Sequence, residues 1–526
     1  MSQSFYITTA ISYPNGKPHI GHAYEAIAAD ALARYHRLLG QDVYFQTGTD
    51  EHGLKMDQAA RNRDVKPITL ADEMSSHFKA MDDLYNISYD RFIRTTEAEH
   101  YKASQALWKT LADAGHIYLG RYEGWYSVRD EAFYKEDELI TDAAGNKLSP
   151  QGTPVEWNVE ESWFFRLSDF QDKLLAYYEA HPKFIQPEAR RNEVISFVKS
   201  GLSDLSISRS SFDWGIPVPD APGHVMYVWI DALTNYLTGA GYPDNQARLE
   251  HYWPADIHII GKDIIRFHAV YWPAFLMAAN IPLPKAVFGH GFLLNKGEKM
   301  SKSVGNVVDP IDMAKLYGVD QLRYFLLREV TFGQDGSYSH EAIVNRINAD
   351  LANDFGNLAQ RSLSMIAKNG AKVPTPYKTT AADETLMTKL AGIPHQVATA
   401  MNNIAPNQAL DAIWRGVAEA NLYISEQAPW TVRKTDPERA DTILYWTAEA
   451  VRQLAILSRW AIPNSSDALL DQLGQGADQR DFAALSSPLV PSLALPAPQG
   501  VFPRFIDEDK VSSDKKNAKK TAKDKA

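Results

Sequence analysis

Apolar and polar positions change rhythm several times along this chain. Up to about residue 115, short β-prone runs (Phe5-Tyr6-Ile7-Thr8-Thr9, Val43-Tyr44-Phe45) alternate with longer stretches of helical spacing, the first from about Gly21 to Leu39. Such alternation predicts one half of a parallel α/β sheet. From about 116 to 224 the runs shorten, break at Gly and Pro and become rich in Trp and Tyr, which reads as an inserted module. The α/β rhythm returns with Val225-Met226-Tyr227-Val228-Trp229. It continues through Asp256-Ile257-His258-Ile259-Ile260, a helix carrying Phe267, Tyr271 and Phe275, and a strand-like run from Ala286 to Leu294. The expected product is a nucleotide-binding sheet split by an insertion. Its site belongs at the carboxyl ends of the strands, where Ala10, Asp50 and Gly261 fall.

From about residue 340 the helical period dominates. Ile343, Ile347, Leu351, Phe355 and Leu358 step along one helix, and Leu386, Leu390, Ile393, Val397 and Met401 along the next. Leu410, Ile413, Val417 and Ile424 mark another, followed by Leu444, Val451, Leu454 and Leu457. Helices of this kind joined by short loops make a bundle. After about residue 465 the chain turns Pro-rich and irregular and is expected to pack back over the body.

A length of 526 residues suits several domains with cores of their own, and 45% hydrophobic with 23% charged residues is a globular composition. No apolar run reaches membrane-spanning length, and a strand begins by Phe5 with no room for a targeting peptide ahead of it, so the cytoplasm is expected. The net charge of −11 argues against a nucleic-acid partner only if charge were evenly spread, and phosphate contacts are local. Residues 509–526 carry seven lysines against three aspartates with no apolar period. They read as a disordered tail, either merely solvated or a weak RNA grip. The absence of cysteine removes disulfides, thiolate nucleophiles and cysteine-type zinc sites together.

Two strings carry the chemistry. His19-Ile20-Gly21-His22 follows the turn Pro14-Asn15-Gly16-Lys17-Pro18 and opens the first long helix, where unpaired N–H groups and the helix dipole favour an anion. Gly21 allows close approach of the backbone to a nucleotide. Far downstream, Lys299-Met300-Ser301-Lys302-Ser303 follows a turn at Lys296-Gly297-Glu298 and offers two ammonium groups to charge that develops in a transition state. Alone, the first could be surface histidines and the second an exposed basic loop. Together, on strand–turn elements in this order, they suit the triphosphate of ATP.

With these strings the chain resembles a class I aminoacyl-tRNA synthetase. Ala10-Ile11-Ser12-Tyr13-Pro14-Asn15-Gly16, Tyr227-Val228-Trp229-Ile230-Asp231-Ala232-Leu233 with Tyr236, and Gly261-Lys262-Asp263 with Phe267-His268 resemble the methionyl-tRNA synthetase family in particular. The likeness runs from about residue 4 to 465. It implies an α/β fold: a Rossmann-type parallel sheet split by a connective domain, followed by an α-helical anticodon-binding bundle. The implied boundaries are 1–115 and 225–293 for the halves of the catalytic domain and 116–224 for the insertion. A stem-contact region with the lysine loop follows at 294–340, the bundle at 341–508 and the tail at 509–526. The resemblance also implies a methionine pocket of Ala10, Ile11, Tyr13, Trp229, Ala232, Leu233, Tyr236 and His268, with Asp50 pairing the substrate ammonium. Leu233 stands where some relatives carry proline. Aromatic faces and edges suit a polarizable thioether, although without the resemblance these side chains would read as core packing. ATP is assigned Lys17, Gly21, His22, Glu25, Gly261, Asp263, Lys299, Met300, Ser301 and Lys302. Catalysis is assigned to His19, His22, Lys299 and Lys302, acting by positioning and electrostatics, with Mg²⁺ arriving on ATP. In the bundle, Asn357 and Arg361 share a helix face. With Trp430, after Pro429, they match residues that read the CAU anticodon; by composition alone Trp430 would suit the bundle core.

Many members of that family carry zinc knuckles in the insertion. Here Ser127 and Asp130 fall where one ligand pair would lie, and Ser149 and Gln151 near the other. Such oxygen ligands suit zinc poorly, so a metal-free knuckle packed by Trp125, Tyr126, Phe133, Tyr134 and Trp157 is expected. The implied activity joins L-methionine, ATP and methionine tRNA, initiator and elongator, in a monomer without a membrane partner, since the C-terminal dimerisation module of longer relatives finds no space. No large editing domain fits either. A pocket alone separates methionine from homocysteine by about 1–3 kcal/mol, and the resemblance implies disposal of activated homocysteine by its own thiol. The rivals are an HxGH-type nucleotidyltransferase, with no use for the bundle, and a non-catalytic tRNA-binding descendant, which would be expected to lose these strings.

Overall fold

Six strands, all parallel, make the central sheet of the computed structural model, which describes residues 3–129, 132–134, 136–295, 298–299 and 308–506. They are β1 (Ser4–Thr9), β2 (Asp42–Thr49), β3 (Arg91–Arg94), β4 (Ile185–Gln186), β5 (Ile257–Gly261) and β6 (Val287–His290). Their spatial order is β3-β2-β1-β5-β6-β4. β1 therefore has β2 on one side and β5 on the other, the reversal of direction at which α/β sheets open a crevice. β2 and β5 are buried almost throughout, which accounts for the apolar stretches Val43-Tyr44-Phe45 and Ile257 to Ile260 within them. The helix after β1, α1 (Ile20–Leu38), starts one residue ahead of the expected position and buries a face rich in alanine.

The run expected as one strand from Ala286 to Leu294 is interrupted. β6 ends at His290, and a separate strand covers Leu293–Asn295. At Gly291 the chain passes so close to the backbone of Gln334 that a Cβ would sit 2.2 Å from its carbonyl carbon. Only glycine fits there, and the ladder breaks.

The inserted stretch is built on a long antiparallel pair, Ile117–Ser127 with Glu156–Phe165, flanked by Leu205–Ser206 and Ala132–Tyr134. Yet β4, from the same stretch, adds to the edge of the parallel sheet beside β6. Two residues are too few to show a period. Near the positions expected for a knuckle, buried hydroxyls meet: Thr153 Oγ1 lies 2.6 Å from Ser127 Oγ and 2.8 Å from Ser149 Oγ. Trp125 and Trp157 pack edge to face at 5.5 Å, but Trp157 is largely exposed. The hydroxyl cluster thus shares the work expected of the aromatics. Asp130 and the side chain of Phe133 lie outside the described residues.

A second compact unit takes in residues 294–298, 312–332 and the chain from 336 onward, and is predominantly helical. The first expected helix is realised in three pieces, His340–Arg346, a π-helical stretch Ile347–Gly356 and Asn357–Lys368. The second divides into Ala381–Ala391 and Ile393–Asn402, because Pro394 lacks the N–H that would continue the ladder. Pro406–Gln427 and Pro437–Ser458 carry the remaining apolar stripes. Beyond 463 the chain is not wholly irregular, since Pro463–Gln472 is a helix. It does pack back on its own unit: Val373 N–H donates to Leu493 and Leu495 N–H to Ala371. Among the described residues no helix is long and apolar enough to cross a membrane. The lysine tail lies outside them.

Candidate active site

A cavity of about 480 Å³ opens at the carboxyl ends of β1, β2, β5 and β6, lined there by Ala10, Asp50, Gly261 and His290. The turn after β1 adds Ile11 and Tyr13, α1 adds His19, Gly21, His22 and Glu25, and the chain after β5 adds Asp263 and His268. Its far wall is a helix, α2 (Val228–Ala240), through Trp229, Ala232, Leu233 and Tyr236. Lys17 is exposed on the preceding turn and does not line the cavity. Of the string from Lys299 to Lys302 only the backbone of Lys299 falls within the described residues.

His19 is the N-cap of α1, and the two histidines cap each other. His19 Nδ1 accepts the Gly21 N–H at 3.1 Å, and His22 Nδ1 accepts the His19 N–H at 3.1 Å. The rings lie 3.8 Å apart. A ring that accepts at Nδ1 carries its proton at Nε2 when neutral. Each imidazole is therefore oriented by the backbone as an Nε2–H donor, beside helix N–H groups that favour anions. Gly21 is needed for a reason beyond nucleotide approach: a Cβ there would meet the His19 ring at 2.8 Å. At Gly261 a Cβ would meet the Asp263 carboxylate at 2.6 Å.

The other end is apolar and uncharged. Trp229 stacks on Phe267 at 3.7 Å and 6°. A π-helical turn over Phe267–Tyr271 turns His268 toward α2, where its Nε2 accepts from the Tyr236 hydroxyl at 2.7 Å. His268 Nδ1 donates to the Ile264 carbonyl at 3.1 Å. The polar tips in this wall are thus spent on each other. Burial, opposed only by that carbonyl, lowers the pKa of His268 to about 4.

This depression has a sign in stability. An unfolded histidine titrates near 6.5, so between there and about 4 the unfolded chain binds a proton that the folded chain refuses. The contribution is complete above pH 6.5 and is lost as pH falls, by about 3 kcal/mol across the window. In His268→Gln, melting temperature should fall less steeply between pH 6.5 and 4 than in the wild type. Equal slopes would remove His268 from this role.

His290 was not singled out by any motif; its only sequence signal is its place after the apolar Val287-Phe288 at a strand end. Its Nε2 donates to Glu25 Oε2 at 2.8 Å and its Nδ1 to the Gly291 carbonyl at 2.8 Å. Burial alone would lower its pKa, but the hydrogen bond and charge of Glu25, with the Gly291 carbonyl and Asp263, outweigh it, and the pKa is raised. Glu25 is thereby fixed to β6 beside the mouth of α1. Lys55 and Asn235 also line the cavity without a sequence signal.

In the helical unit, Asn357 and Arg361 lie on the helix Asn357–Lys368, and the Arg361 guanidinium sits 5.0 Å from the centroid of the Trp430 ring. Trp430 is 42% exposed, so it is not a core residue. Ala428, in a left-handed conformation (φ 41°), turns the chain into the short helix that carries it.

The description "tRNA synthetases class I (M)" matches residues 5–363, and "Anticodon binding domain of methionyl tRNA ligase" matches residues 373–522. The chain belongs to the methionyl-tRNA synthetase family. It is 61% identical to the methionine–tRNA ligase of Brucella suis over 509 residues, 96% of this chain and 99% of that protein. With the enzyme of Mycobacterium tuberculosis strain H37Rv it shares 58% over 95% and 98%. A solved structure of M. tuberculosis methionyl-tRNA synthetase in complex with methionyl-adenylate superposes with a TM-score of 0.93, at 58% identity, covering 95% of this chain and all of that one. The apo form of that synthetase gives 0.87 at 54% identity, over 96% and 99%. Both matched regions are described as synthetase domains, which favours this family over the nucleotidyltransferase rival.

Proposed function

We propose that the chain is a methionine–tRNA ligase that charges methionine tRNA, initiator and elongator, through methionyl-adenylate. The observation that carries this reading is one cavity joining a helix mouth of two oriented imidazoles to an uncharged aromatic wall. In the first step the methionine carboxylate attacks the α-phosphate of ATP, and the bond to pyrophosphate breaks. His19 and His22 donate from Nε2 to the phosphates as charge builds, and Lys299 and Lys302 hold the departing pyrophosphate. Lys17, Gly21, Glu25, Gly261, Asp263, Met300 and Ser301 complete the ATP site, with Mg²⁺ carried in on the triphosphate and partly neutralising it. Asp50 takes the ammonium, while Ala10, Ile11, Tyr13, Trp229, Ala232, Leu233, Tyr236 and His268 enclose the thioether. In the second step the terminal adenosine hydroxyl of the tRNA attacks the acyl carbon, and AMP leaves. Asn357, Arg361 and Trp430 read the anticodon.

The reading extends to a cytoplasmic monomer divided at the boundaries given above. Incubation with ATP, labelled methionine and methionine tRNA should yield methionyl-tRNA that is lost when any one is omitted. No charged product with all present would refute it.

The same reading includes an insertion without zinc. Among the described residues no group of three or more His, Cys, Asp or Glu gathers as a metal site. Metal analysis of the purified protein should give well under one equivalent, and a zinc-selective chelator, with Mg²⁺ kept in excess, should leave exchange activity unchanged. Stoichiometric zinc would require ligands other than the hydroxyl cluster of Ser127, Ser149 and Thr153.

A further inference from the structure

Behind the methionine wall lies a buried polar cluster that the chemistry above leaves unused. Asp231, fully buried on the face of α2 turned from the cavity, receives His52 Nδ1 on Oδ2 at 2.7 Å and His100 Nε2 on Oδ1 at 2.8 Å. His52 stands two residues after Asp50, and His100 lies on the helix Ala98–Asp113. The outer nitrogens are engaged too: His52 Nε2 meets the Tyr101 hydroxyl at 3.0 Å, and His100 Nδ1 meets Thr238 Oγ1 at 2.9 Å. Burial alone would push the Asp231 carboxyl up, but the two histidines outweigh it and hold the group ionised.

Packing does not call for such a cluster. Apolar side chains of equal volume are often as stable as a buried ionic group or more so, whereas a half-broken one is costly. What a cluster of this kind does supply is a fixed geometry, because satisfied buried donors and acceptors hold one another in place. Asp231 is adjacent to Ala232 and two residues from Trp229, and its partner His52 lies on the loop that holds Asp50.

We propose that Asp231 is a positioning residue that ties the Asp50 loop to α2 and so sets the spacing between the ammonium subsite and the thioether wall. The inference rests on the methionine site proposed above. Its consequence is specific: a ligand that engages both subsites depends on the tie, and a ligand that engages only one does not.

Asp231→Asn keeps the shape but removes the charge and replaces one acceptor oxygen by a donor, so the two imidazoles can no longer both donate to one carboxylate. In ATP–pyrophosphate exchange the KM for methionine should rise about tenfold or more, with the KM for ATP within about twofold. The inhibition constant of 4-(methylthio)butanoic acid, which is methionine without its ammonium, should also stay within about twofold of wild type. His52→Ala, which removes the donor to Oδ2 and leaves His100 in place, should show the same split and carries the test should Asp231→Asn fail to fold. An unchanged methionine KM would overturn the proposal. So would an inhibition constant that rises as far as the methionine KM, since the wall itself would then be damaged. If the wild-type protein binds the ammonium-free acid as tightly as methionine, the failure lies with Asp50 as the ammonium partner and not with the tie.

Discussion

Replacing His22 by alanine lowers methionine-dependent ATP–pyrophosphate exchange by about two to three orders of magnitude, the cost of removing one donor aimed at transition-state charge. Methionine affinity stays near wild type, because in the proposed assignment the lost Nε2–H serves phosphate and not the thioether wall. The geometry adds a complication that a second substitution resolves. His22 also closes a reciprocal cap at the start of α1 by accepting the His19 N–H, and loss of such a cap costs about 1 kcal/mol. An asparagine oxygen can accept in the same way, much as the short carboxylate of Asp383 does at the equivalent position of the helix Ala381–Ala391. His22→Asn should therefore recover melting temperature but not exchange rate. If exchange proceeds at a near wild-type rate in either variant, His22 is not a phosphate donor.

The second large effect belongs to the helical unit. Trp430→Ala removes a stacking surface worth about 1–3 kcal/mol per base, so charging of methionine tRNA falls roughly tenfold or more. Methionine activation measured without tRNA is unchanged, since every residue assigned to it lies outside the helical unit. The exposure of Trp430 keeps the folding cost small, and the stacked Arg361 gives the prediction a companion. Arg361→Ala should weaken charging similarly, with a loss that shrinks as salt is raised, because its charge as well as its platform is removed. Equal losses in activation and charging, together with a fall in melting temperature, would return Trp430 to a purely structural role.

Much of this architecture is visible in the sequence wherever a physical signal is longer than a few residues. The apolar runs of β1, β2 and β5 announce buried parallel strands, and the helical stripes of the second unit announce its long helices. The strand-end rule finds Ala10, Asp50 and Gly261 before any contact is known. What sequence hides is short or non-local. β4 is two residues long and has no period to read. His290 becomes meaningful only when β6 brings it to Glu25 on α1, and Thr153 only when a turn brings it to Ser127 and Ser149. Asp231, His52 and His100 come from three separate segments, and nothing local to any of them foretells the cluster. Pro394 and Gly291 were readable in kind but not in effect, since one divides a helical stripe and the other a strand that apolar pattern alone would have kept whole.

ATP–pyrophosphate exchange in the absence of tRNA, run with each of the twenty amino acids in turn, separates a methionine-activating site from every alternative. Methionine should support exchange far above background and the other nineteen should not. Exchange driven better by another amino acid, or none with methionine, would contradict the assignment of this cavity to methionyl-adenylate.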